Sequence, residues 1–366
     1  MIDSTANSGI MEENIEQIPD KTNNSNGGSV KHNESLNSEL NSLYKGVGLR
    51  DISSYGVIEL RGNDVLEFLH RISSYSIKDL PKEKIVQTIF TTEKGRIIDK
   101  TTLFNFMEFQ LLICSPEQQG KVMRWINKYI ISDDIVQSDI TGKYTIFELL
   151  GPQVESFIIM ISGNAVNNIQ EDSFKVINTD GIIFFLAKLR DKNGKMKFWI
   201  IADPNYGQQL VRYMMENKSI FNFNLIGDDA SEIYRIEQGI PSAPFEVNDF
   251  YNPHETRLMD LVDTKKGCYI GQEVIARLDT YDKVQKYLTG IEFTQSLEED
   301  LKLSLTDETG SEAGEITSYV YSPNFKKQIG LAFVRRGFIQ EGKSLIAKSG
   351  TGVSVKVLVR SLPFKK

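Results

Sequence analysis

A cysteine in a glycine-containing run is the most chemically suggestive feature of this 366-residue chain. The run is Lys-Gly-Cys-Tyr-Ile-Gly-Gln-Glu, residues 266–273, and it leads into residues with the apolar spacing of an amphipathic helix. A helix N-terminus and nearby lysines each favour the thiolate, which is the nucleophilic and metal-binding form of cysteine. Cys268 is therefore a candidate reactive thiol. A small buried cysteine in a tight turn is the alternative, and the spacing alone leaves both interpretations open.

Arg235 and Glu237, in the run Tyr-Arg-Ile-Glu-Gln-Gly-Ile-Pro, form a second grouping. Residues two apart share one face of a strand or flank one turn near a helix start. An arginine there can bind a carboxylate through two parallel hydrogen bonds, and a glutamate can accept paired N–H donors from a planar heterocycle. A surface or structural ion pair is the more ordinary interpretation, and the sequence alone favours it.

A hairpin predicted between residues 85–92 and 96–106 carries a third grouping. Its turn places Lys94 and Arg96 on either side of a glycine, which suits contact with an anion. Asp99, further along the second strand, is a candidate acid or base. A solvated hairpin tip is the alternative interpretation.

Metal chemistry within one chain has few candidate ligands. The sequence contains two cysteines and three histidines, and His32 lies in the N-terminal segment. A four-ligand zinc or cluster site is hard to assemble from this set, so we predict no metal site within the chain. Cys114 follows an apolar run and is predicted to be a buried strand residue. His254 is expected to be partly exposed in the first turn of a helix.

Charge and composition narrow the class of protein. The net charge is −7, and residues 1–42 hold seven acidic residues against two lysines, so the rest of the chain is nearly balanced. A balanced domain does not attract nucleic-acid phosphates, and we expect no direct nucleic-acid binding. No apolar run approaches the roughly 18 to 20 residues that cross a bilayer. The first arginine is Arg50, unlike an arginine-rich transit peptide, so we predict a cytoplasmic protein in a reducing compartment.

The organisation along the chain predicts an α+β protein with an all-β end. Residues 1–42 contain eight Asn, seven Ser and no aromatic residue, so we expect a disordered acidic tail. Residues 43–285 mix helix and strand patterns, and residues 286–366 carry short strands separated by turns, which is typical of a small barrel or sandwich. The predicted helices include residues 65–72, 117–131 and 154–161, and the predicted strands include 144–149, 174–189 and 196–202.

Together these groupings resemble the YgfZ family, a folate-binding branch of the superfamily that contains the glycine-cleavage aminomethyltransferase, or T-protein. The resemblance runs from about residue 43 to the C-terminus, and its most specific part is the cysteine run. It is also carried by Lys-Gly-Arg-Ile-Ile-Asp at 94–99, Arg-Ile-Glu-Gln-Gly-Ile-Pro at 235–241, Asn-Pro-His-Glu at 252–255 and Gly-Glu-Ile-Thr-Ser at 314–318.

The resemblance implies a three-lobed α+β fold with a C-terminal β-barrel, built around a central hole that binds tetrahydrofolate. It also implies a role in maturing or repairing iron–sulfur proteins, with Cys268 as the functional thiol. The candidate contacts to folate are Arg235 and Glu237 in the pocket, Lys94 or Arg96 at the glutamyl end, and Lys266, Tyr269, Gln272 and Glu273 of the cysteine run.

The chain departs from the T-protein pattern in two places. The T-protein has two consecutive aspartates after its glycine-rich turn, where this chain has Asp99-Lys100, and its Gly-Glu-x-Gly-type loop has no clear counterpart here. Both departures favour a folate-binding accessory factor over an aminomethyltransferase or demethylase that uses Asp99. A tRNA-modification accessory protein is a third hypothesis.

The way in which the thiol acts is left open by the sequence. Cys268 has three candidate roles: to hold a cluster, to carry a persulfide, or to accept a one-carbon unit. One thiolate per chain cannot hold a cluster alone, so the first role predicts a dimer or an iron–sulfur partner protein.

Overall fold

The computed structural model describes residues 29–297 and 302–365, whose strands form two open sheets and one closed barrel. The α-helices are α1 (Ser29–Lys45), α2 (Val65–Ile72), α3 (Gln119–Tyr129), α4 (Val154–Ser162), α5 (Gly207–Glu216), α6 (Asp228–Glu237) and α7 (Gln272–Thr280). The strands before α6 are β1 (Val47–Asp51), β2 (Tyr55–Arg61), β3 (Ile85–Thr91), β4 (Ile97–Asn105), β5 (Gln110–Pro116), β6 (Val136–Asp139), β7 (Thr145–Leu150), β8 (Ser173–Thr179), β9 (Ile182–Arg190), β10 (Met196–Ala202) and β11 (Phe223–Leu225). The strands after α7 are β12 (Lys286–Phe293), β13 (Leu303–Thr306), β14 (Glu312–Ser322), β15 (Lys327–Arg335), β16 (Ser344–Ser349) and β17 (Ser354–Arg360).

The two open sheets pack face to face. The first has the strand order β11-β1-β7-β10-β9-β8, and the second has the order β3-β4-β5-β2-β6. Side chains alternate between the two faces of a strand, so each sheet presents one apolar face to the other. Phe104 of the second sheet stacks on Trp199 of the first, with their ring centroids 6.1 Å apart. The outer faces are covered by helices, with α4 and α5 on the first sheet and α2 and α3 on the second.

The C-terminal strands close into a barrel with the order β12-β15-β14-β13-β16-β17. Closure pairs every strand on both sides and so removes exposed sheet edges. The α+β class and the C-terminal barrel predicted from the sequence are confirmed. Strands β14 and β15 of the barrel also pack against α6, which joins the barrel to the rest of the chain.

Helix α1 corrects the prediction of a disordered tail over residues 29–42. Leu40 and Leu43 are buried, and Leu36 packs beside them against Ile233 and Tyr234 of α6. The three leucines recur at helical spacing, whereas the prediction weighed only the polar composition of the whole segment. Residues 1–28 of the predicted tail lie outside the described residues.

Two further local predictions are wrong. The run at 174–189 is not one strand, because Asp180 and Gly181 adopt positive φ angles and turn the chain between β8 and β9. The helix expected after His254 is a series of turns with a short 3-10 helix at Met259–Leu261. His254 is buried rather than partly exposed, and its Nε2 lies 3.0 Å from the carbonyl oxygen of Ile275 in α7.

Among the described residues, no helix is both long and apolar enough to cross a membrane.

Candidate functional site

Cys268 lies exposed on the loop that precedes α7. Two residues earlier, Lys266 directs its ammonium group into the end of α2. Its Nζ donates hydrogen bonds to the backbone carbonyls of His70 at 2.5 Å, Ser73 at 2.7 Å and Tyr75 at 2.9 Å. A lysine ammonium has three donors, and these three carbonyls use all of them. Lys266 therefore anchors the loop rather than presenting a free charge, and burial lowers its pKa to about 8.

The loop is held on the other side of the thiol by the β3–β4 hairpin. Gly271 caps α7 with a φ of +86°, and a Cβ atom added there would lie 2.6 Å from Thr91 Oγ1. Thr91 Oγ1 also donates to the carbonyl of Ile270 at 2.7 Å. Only glycine fits this close approach in a left-handed conformation. Cys268 thus projects from a loop that is fixed at residue 266 and again at residues 270–271.

The other residues of the cysteine run have separate positions. Tyr269 is buried and packs with Val262, Ile275 and Met259. Gln272 begins α7, and its Oε1 accepts a hydrogen bond from the Tyr269 N–H at 3.4 Å. Glu273 is exposed in the first turn of α7. Of these three candidates for folate contact, Tyr269 is the one whose ring is buried in this hydrophobic cluster.

The two cations of the hairpin turn also differ. Lys94 is exposed at the tip. Arg96 donates from NH1 to Glu255 Oε2 at 3.0 Å and to the carbonyl of Phe250 at 2.8 Å. Glu255 Oε2 accepts the Asn252 N–H as well, at 2.9 Å. Arg96 therefore fixes residues 250–255 against the hairpin.

Asp99 is fully buried on β4. Its Oδ2 accepts the backbone N–H of Ser115 at 2.9 Å, and its Oδ1 accepts the Ser115 hydroxyl at 2.6 Å. Burial raises the pKa of Asp99 to about 6, although these hydrogen bonds oppose the rise. The structure brings Asp99 close to the buried thiol of Cys114, whose pKa is raised by burial and then by Asp99. Asp99 is not within reach of solvent.

Lys100, the next residue, points to the opposite face of β4, because successive strand side chains alternate. It is half-buried, and burial together with the Lys197 charge lowers its pKa. The negative charges of Asp99, of Glu148 on β7 and of Asp260 in the 3-10 helix oppose this lowering of the pKa. Lys192, in the β9–β10 turn, is half-buried near Lys100 and Asp260, and burial lowers its pKa to about 8. We call Lys100, Glu148, Lys192, Lys197 and Asp260 the charged cluster.

Glu148 is the buried anion of the charged cluster. It accepts hydrogen bonds from Lys197 Nζ at 2.9 Å and from Trp199 Nε1 at 3.0 Å, and Arg50 lies 3.8 Å away. Burial raises the pKa of Glu148, but Lys197 and Arg50 outweigh that effect and bring it down to about 2. Glu148 is therefore ionised at neutral pH and neutralises Lys197.

Lys100 and Lys192 have no such carboxylate partner. Among the described residues, no carboxylate oxygen comes within ion-pair distance of either amine, and Lys192 donates only to the carbonyls of Gly239 and Thr256, each at 3.4 Å. Arg257 adds a further positive charge beside Lys192. Because Lys100 and Lys192 keep some exposed surface and Asp260 is exposed, solvent reaches the cluster. Lys100 and Lys192 are thus partly exposed amines without a carboxylate ion partner among the residues that the structure describes.

The cysteine loop and the charged cluster are connected through the 3-10 helix. Met259 packs against Tyr269 of the cysteine run, while the neighbouring Asp260 faces Lys100 and Lys192. Asp263 donates its backbone N–H to the carbonyl of Ser74 at 3.0 Å, and so holds this segment along the second sheet.

Arg235 and Glu237 lie elsewhere, where α6 meets the barrel. Arg235 NH1 lies 3.1 Å from Glu246 Oε2, and its remaining donors bind Glu232 and Ser318. Glu237 is buried and accepts hydrogen bonds from Tyr44, Ser322 and Asn324. The polar groups of both side chains are used within the protein. Glu237 also lines a cavity of about 400 Å³ between α1, α6 and the barrel.

Metal ligands do not cluster in the part of the chain that the structure describes. No group of three or more His, Cys, Asp or Glu side chains there is arranged to hold an ion.

The family of the chain is established by comparison with known proteins. Residues 21–266 match the GCVT N-terminal domain, and residues 287–366 match the glycine cleavage T-protein C-terminal barrel domain. The first match alone covers more than half of the chain, so the protein belongs to the glycine cleavage T-protein family.

Individual relatives support the same family at low identity. A chloroplastic protein of Arabidopsis thaliana that carries the name of a transferase is 26% identical and aligns with 93% of this chain and 76% of its own length. A Leptospira biflexa protein named aminomethyltransferase is 24% identical over 86% of this chain and 87% of its own. The crystal structure of aminomethyltransferase T from Bartonella henselae matches with a TM-score of 0.76 and 18% identity, covering 90% of this chain and 89% of that one.

The sequence reasoning missed most of the charged cluster. Lys192 lies in the β9–β10 turn and Asp260 in the short 3-10 helix, and neither has a motif around it. One signal was available, because Lys100 stands in the second position of the acidic pair of the T-protein. Because of this departure, the β4 side chain that points into the space between the two open sheets is a lysine.

Proposed function

We propose that this protein is a tetrahydrofolate-binding accessory factor of the YgfZ branch, which helps to mature or repair iron–sulfur proteins through Cys268. The observation that carries the proposal is the exposure of Cys268 on a loop braced at both ends, by Lys266 and by Gly271. A thiol that only filled space would be buried, as Cys114 is. A braced, exposed thiol is suited to meeting a partner protein or a small molecule in a fixed geometry.

The charged cluster is the proposed place for the acidic end of folate. The glutamyl part of folate carries carboxylates. Lys192 of the cluster and the neighbouring Arg257 are cations without a carboxylate partner within ion-pair distance among the described residues. Lys192 and Arg257 therefore suit the carboxylates of the glutamyl part of folate. Bound tetrahydrofolate would supply an acceptor for one-carbon units. The chain's own contribution is to bind the carboxylates and to keep the folate beside the segment that leads to Cys268.

Three residues predicted to contact folate are left out of this proposal. Arg235 and Glu237 have their polar groups occupied at the interface of α6 with the barrel, and Arg96 is paired with Glu255. Breaking such pairs for a ligand would leave buried charges unpaired, which costs several kcal/mol. Lys94 is exposed and free to contact an anion, and its role stays a prediction, as do those of Gln272 and Glu273.

The aminomethyltransferase alternative is supported by the names of the bacterial relatives. Against it, Asp99 is fully buried on β4 and accepts hydrogen bonds from Ser115. The next β4 residue, Lys100, is the one that faces the charged cluster. An acid that no substrate can reach cannot transfer a proton to it. The alternative predicts that the purified protein, given tetrahydrofolate and an aminomethyl donor, forms methylene-tetrahydrofolate. We expect no such product.

A cluster held by Cys268 would need ligands from a second chain, because the described residues of one chain offer no group of three. We therefore propose an iron–sulfur client or assembly protein as the partner. The tRNA hypothesis predicts retention of tRNA that weakens steeply with salt. A cytoplasmic location stays a prediction.

Calorimetric titration with 5-formyltetrahydrofolate, a stable reduced folate, tests the folate part of the proposal. Loss of one charged contact to a carboxylate removes about 1.5 to 3 kcal/mol, so Lys192→Gln and Arg257→Gln should each weaken binding by about tenfold or more. Lys348→Gln, an exposed lysine on the barrel, is the matched control and should leave the affinity unchanged. Equal affinity in all four proteins would place folate elsewhere. Complementation with Cys268 variants tests the thiol part.

A further inference from the structure

A cavity of about 400 Å³ between α1, α6 and the barrel is not used by the proposed function. Tyr44 of α1 and Glu237 at the end of α6 line it. Phe325, in the β14–β15 turn, and Phe364, after β17, complete its aromatic walls. Lys45 also lines the cavity and is exposed, so the cavity opens to solvent. A cavity with three aromatic rings and one acidic side chain has the composition of a binding site for a small organic molecule.

Glu237 brings a negative charge to this cavity, and only 2% of its surface is exposed. Tyr44 and Ser322 donate their hydroxyl groups to its carboxylate, and Asn324 Nδ2 donates to Oε2 at 3.1 Å. Among the described residues, no ammonium or guanidinium group lies within ion-pair distance of this carboxylate. A buried carboxylate is normally paired with a cation, because an unpaired charge removed from water is costly. The described part of the chain thus leaves the charge of Glu237 for a ligand to neutralise.

The hydrogen bonds of Glu237 limit the kind of cation that suits the cavity. A carboxylate has about four lone-pair positions. Tyr44 and Asn324 donate to Oε2, Ser322 donates to Oε1, and Asn324 Nδ2 lies 3.5 Å from Oε1 as well. A primary ammonium brings three N–H donors that need acceptors, whereas a fully methylated ammonium has no N–H donor. The attraction that remains at Glu237 is that of its charge, which favours the methylated ammonium.

The aromatic rings favour the same kind of cation. The Phe364 N–H donates to the backbone carbonyl of Glu237 at 2.9 Å. The Phe325 N–H donates at 3.1 Å to the hydroxyl of Ser322, the residue whose hydroxyl binds the Glu237 carboxylate. The two phenylalanine rings pack together, with their centroids 5.8 Å apart. Both rings are therefore held on the cavity wall beside the carboxylate. The faces of aromatic rings attract cations, and proteins use aromatic walls to bind quaternary ammonium groups.

We propose that this cavity binds a small molecule with a trimethylammonium group, which lies against Tyr44, Phe325 and Phe364 and neutralises Glu237. Lys45 has the same charge as the ligand, so the ammonium group lies at the inner end of the cavity, next to the buried carboxylate. The hydrogen bonds of Glu237 stay intact, and binding involves no chemical step. The proposal depends neither on folate binding nor on Cys268.

Calorimetric titration of the full-length protein with choline tests the proposal. The control ligand is 3,3-dimethylbutan-1-ol, which has the shape of choline with a neutral carbon in place of the nitrogen. The two ligands therefore differ in charge but not in size. We expect the alcohol to bind at least about tenfold more weakly than choline, because it cannot neutralise Glu237. Equal binding of the two ligands, or no detectable binding of choline at millimolar concentration, would overturn the proposal.

Three variants locate the choline site. Glu237→Gln keeps the size of the side chain and should weaken choline binding at least about tenfold. Phe364→Leu removes one aromatic face and should weaken it about fivefold, and this half-buried position tests the same cavity if the Glu237 variant does not fold. Phe250→Leu, at an exposed position outside the described cavity lining, is the matched control and should keep the wild-type affinity. Wild-type affinity in Phe364→Leu and in folded Glu237→Gln would place the cation elsewhere and refute the proposal.

Discussion

The ammonium nitrogen of Lys266 lies 2.7 Å from the carbonyl oxygen of Ser73, at the end of α2, two residues before the exposed thiol of Cys268. The contact joins the cysteine loop to a helix of the second sheet. With the two further carbonyls that Lys266 binds, it fixes the start of a loop whose end is fixed by Gly271. The position of the thiol thus depends on side chains that do not touch it.

Replacing Lys266 with Met should destabilise the protein by about 1 to 3 kcal/mol, because three backbone carbonyls lose their shared donor. It should also change the rate at which Cys268 reacts with a thiol reagent, since the loop is freed. Urea unfolding measures the first effect. Lys265→Met removes a neighbouring exposed lysine and should change stability by less than about 0.5 kcal/mol. Equal losses in the two variants would argue against the anchoring role.

Replacing Gly271 with Ala should cost about 1 to 3 kcal/mol, because the new Cβ would meet Thr91 and because the backbone is left-handed there. Gly267→Ala is a matched control in the same loop, since a Cβ at Gly267 has no heavy atom within 4 Å. Thermal or urea unfolding of both variants gives the comparison. A Gly271 variant as stable as the Gly267 variant would mean that the hairpin does not clamp the loop.

The two cysteines should differ sharply in accessibility. In the native protein a thiol reagent should modify Cys268 quickly and leave Cys114, which is buried on β5, unreacted until the chain is unfolded. Stopped-flow absorbance with an aromatic disulfide reagent counts the thiols in each phase. Cys268→Ala should remove the fast phase completely. Two fast thiols, or none, would contradict the structure.

Stability should depend on pH through Asp99. Its pKa is about 6 when folded and near 3.8 when unfolded, so between these values the folded state binds more protons. The contribution of Asp99 is therefore fully present below about pH 3.8 and is lost as the pH rises through 6, by up to about 3 kcal/mol. Relative to Asp99→Asn, the wild type should lose stability between pH 4 and pH 7 in urea titrations. Glu308→Gln, on an exposed turn, should show no such difference, and a parallel course for Asp99→Asn would refute the assignment.

Local features of the fold could be predicted because local patterns specify them. The β3–β4 hairpin, helix α2 and the buried Cys114 follow from strand alternation, helical spacing and turn residues that lie next to one another. Helix α1 was missed because its leucines are diluted by Asn and Ser, and its stability comes from packing on α6, which is far away in sequence.

The site was harder to predict because its partners come from distant segments. Arg235 and Glu237 suggested ligand contacts, yet they are occupied by Ser318, Ser322 and Asn324 of the barrel. The sequence around residue 237 gives no indication of these barrel partners. The charged cluster likewise joins β4, β7, β10, the β9–β10 turn and the 3-10 helix, and only the fold brings them together. The exposure of Cys268, which spacing left undecided, required the structure.

The most direct test of the central claim is complementation in cells that lack their own homologue, with the activity of a [4Fe–4S] enzyme as the readout. Wild type, Cys268→Ala and Cys114→Ala are compared at matched protein levels, and Asp99→Asn reports on the aminomethyltransferase alternative. We predict that Cys268→Ala fails to restore the enzyme while Cys114→Ala and Asp99→Asn restore it. Full rescue by Cys268→Ala would contradict the claim that the protein acts through this thiol.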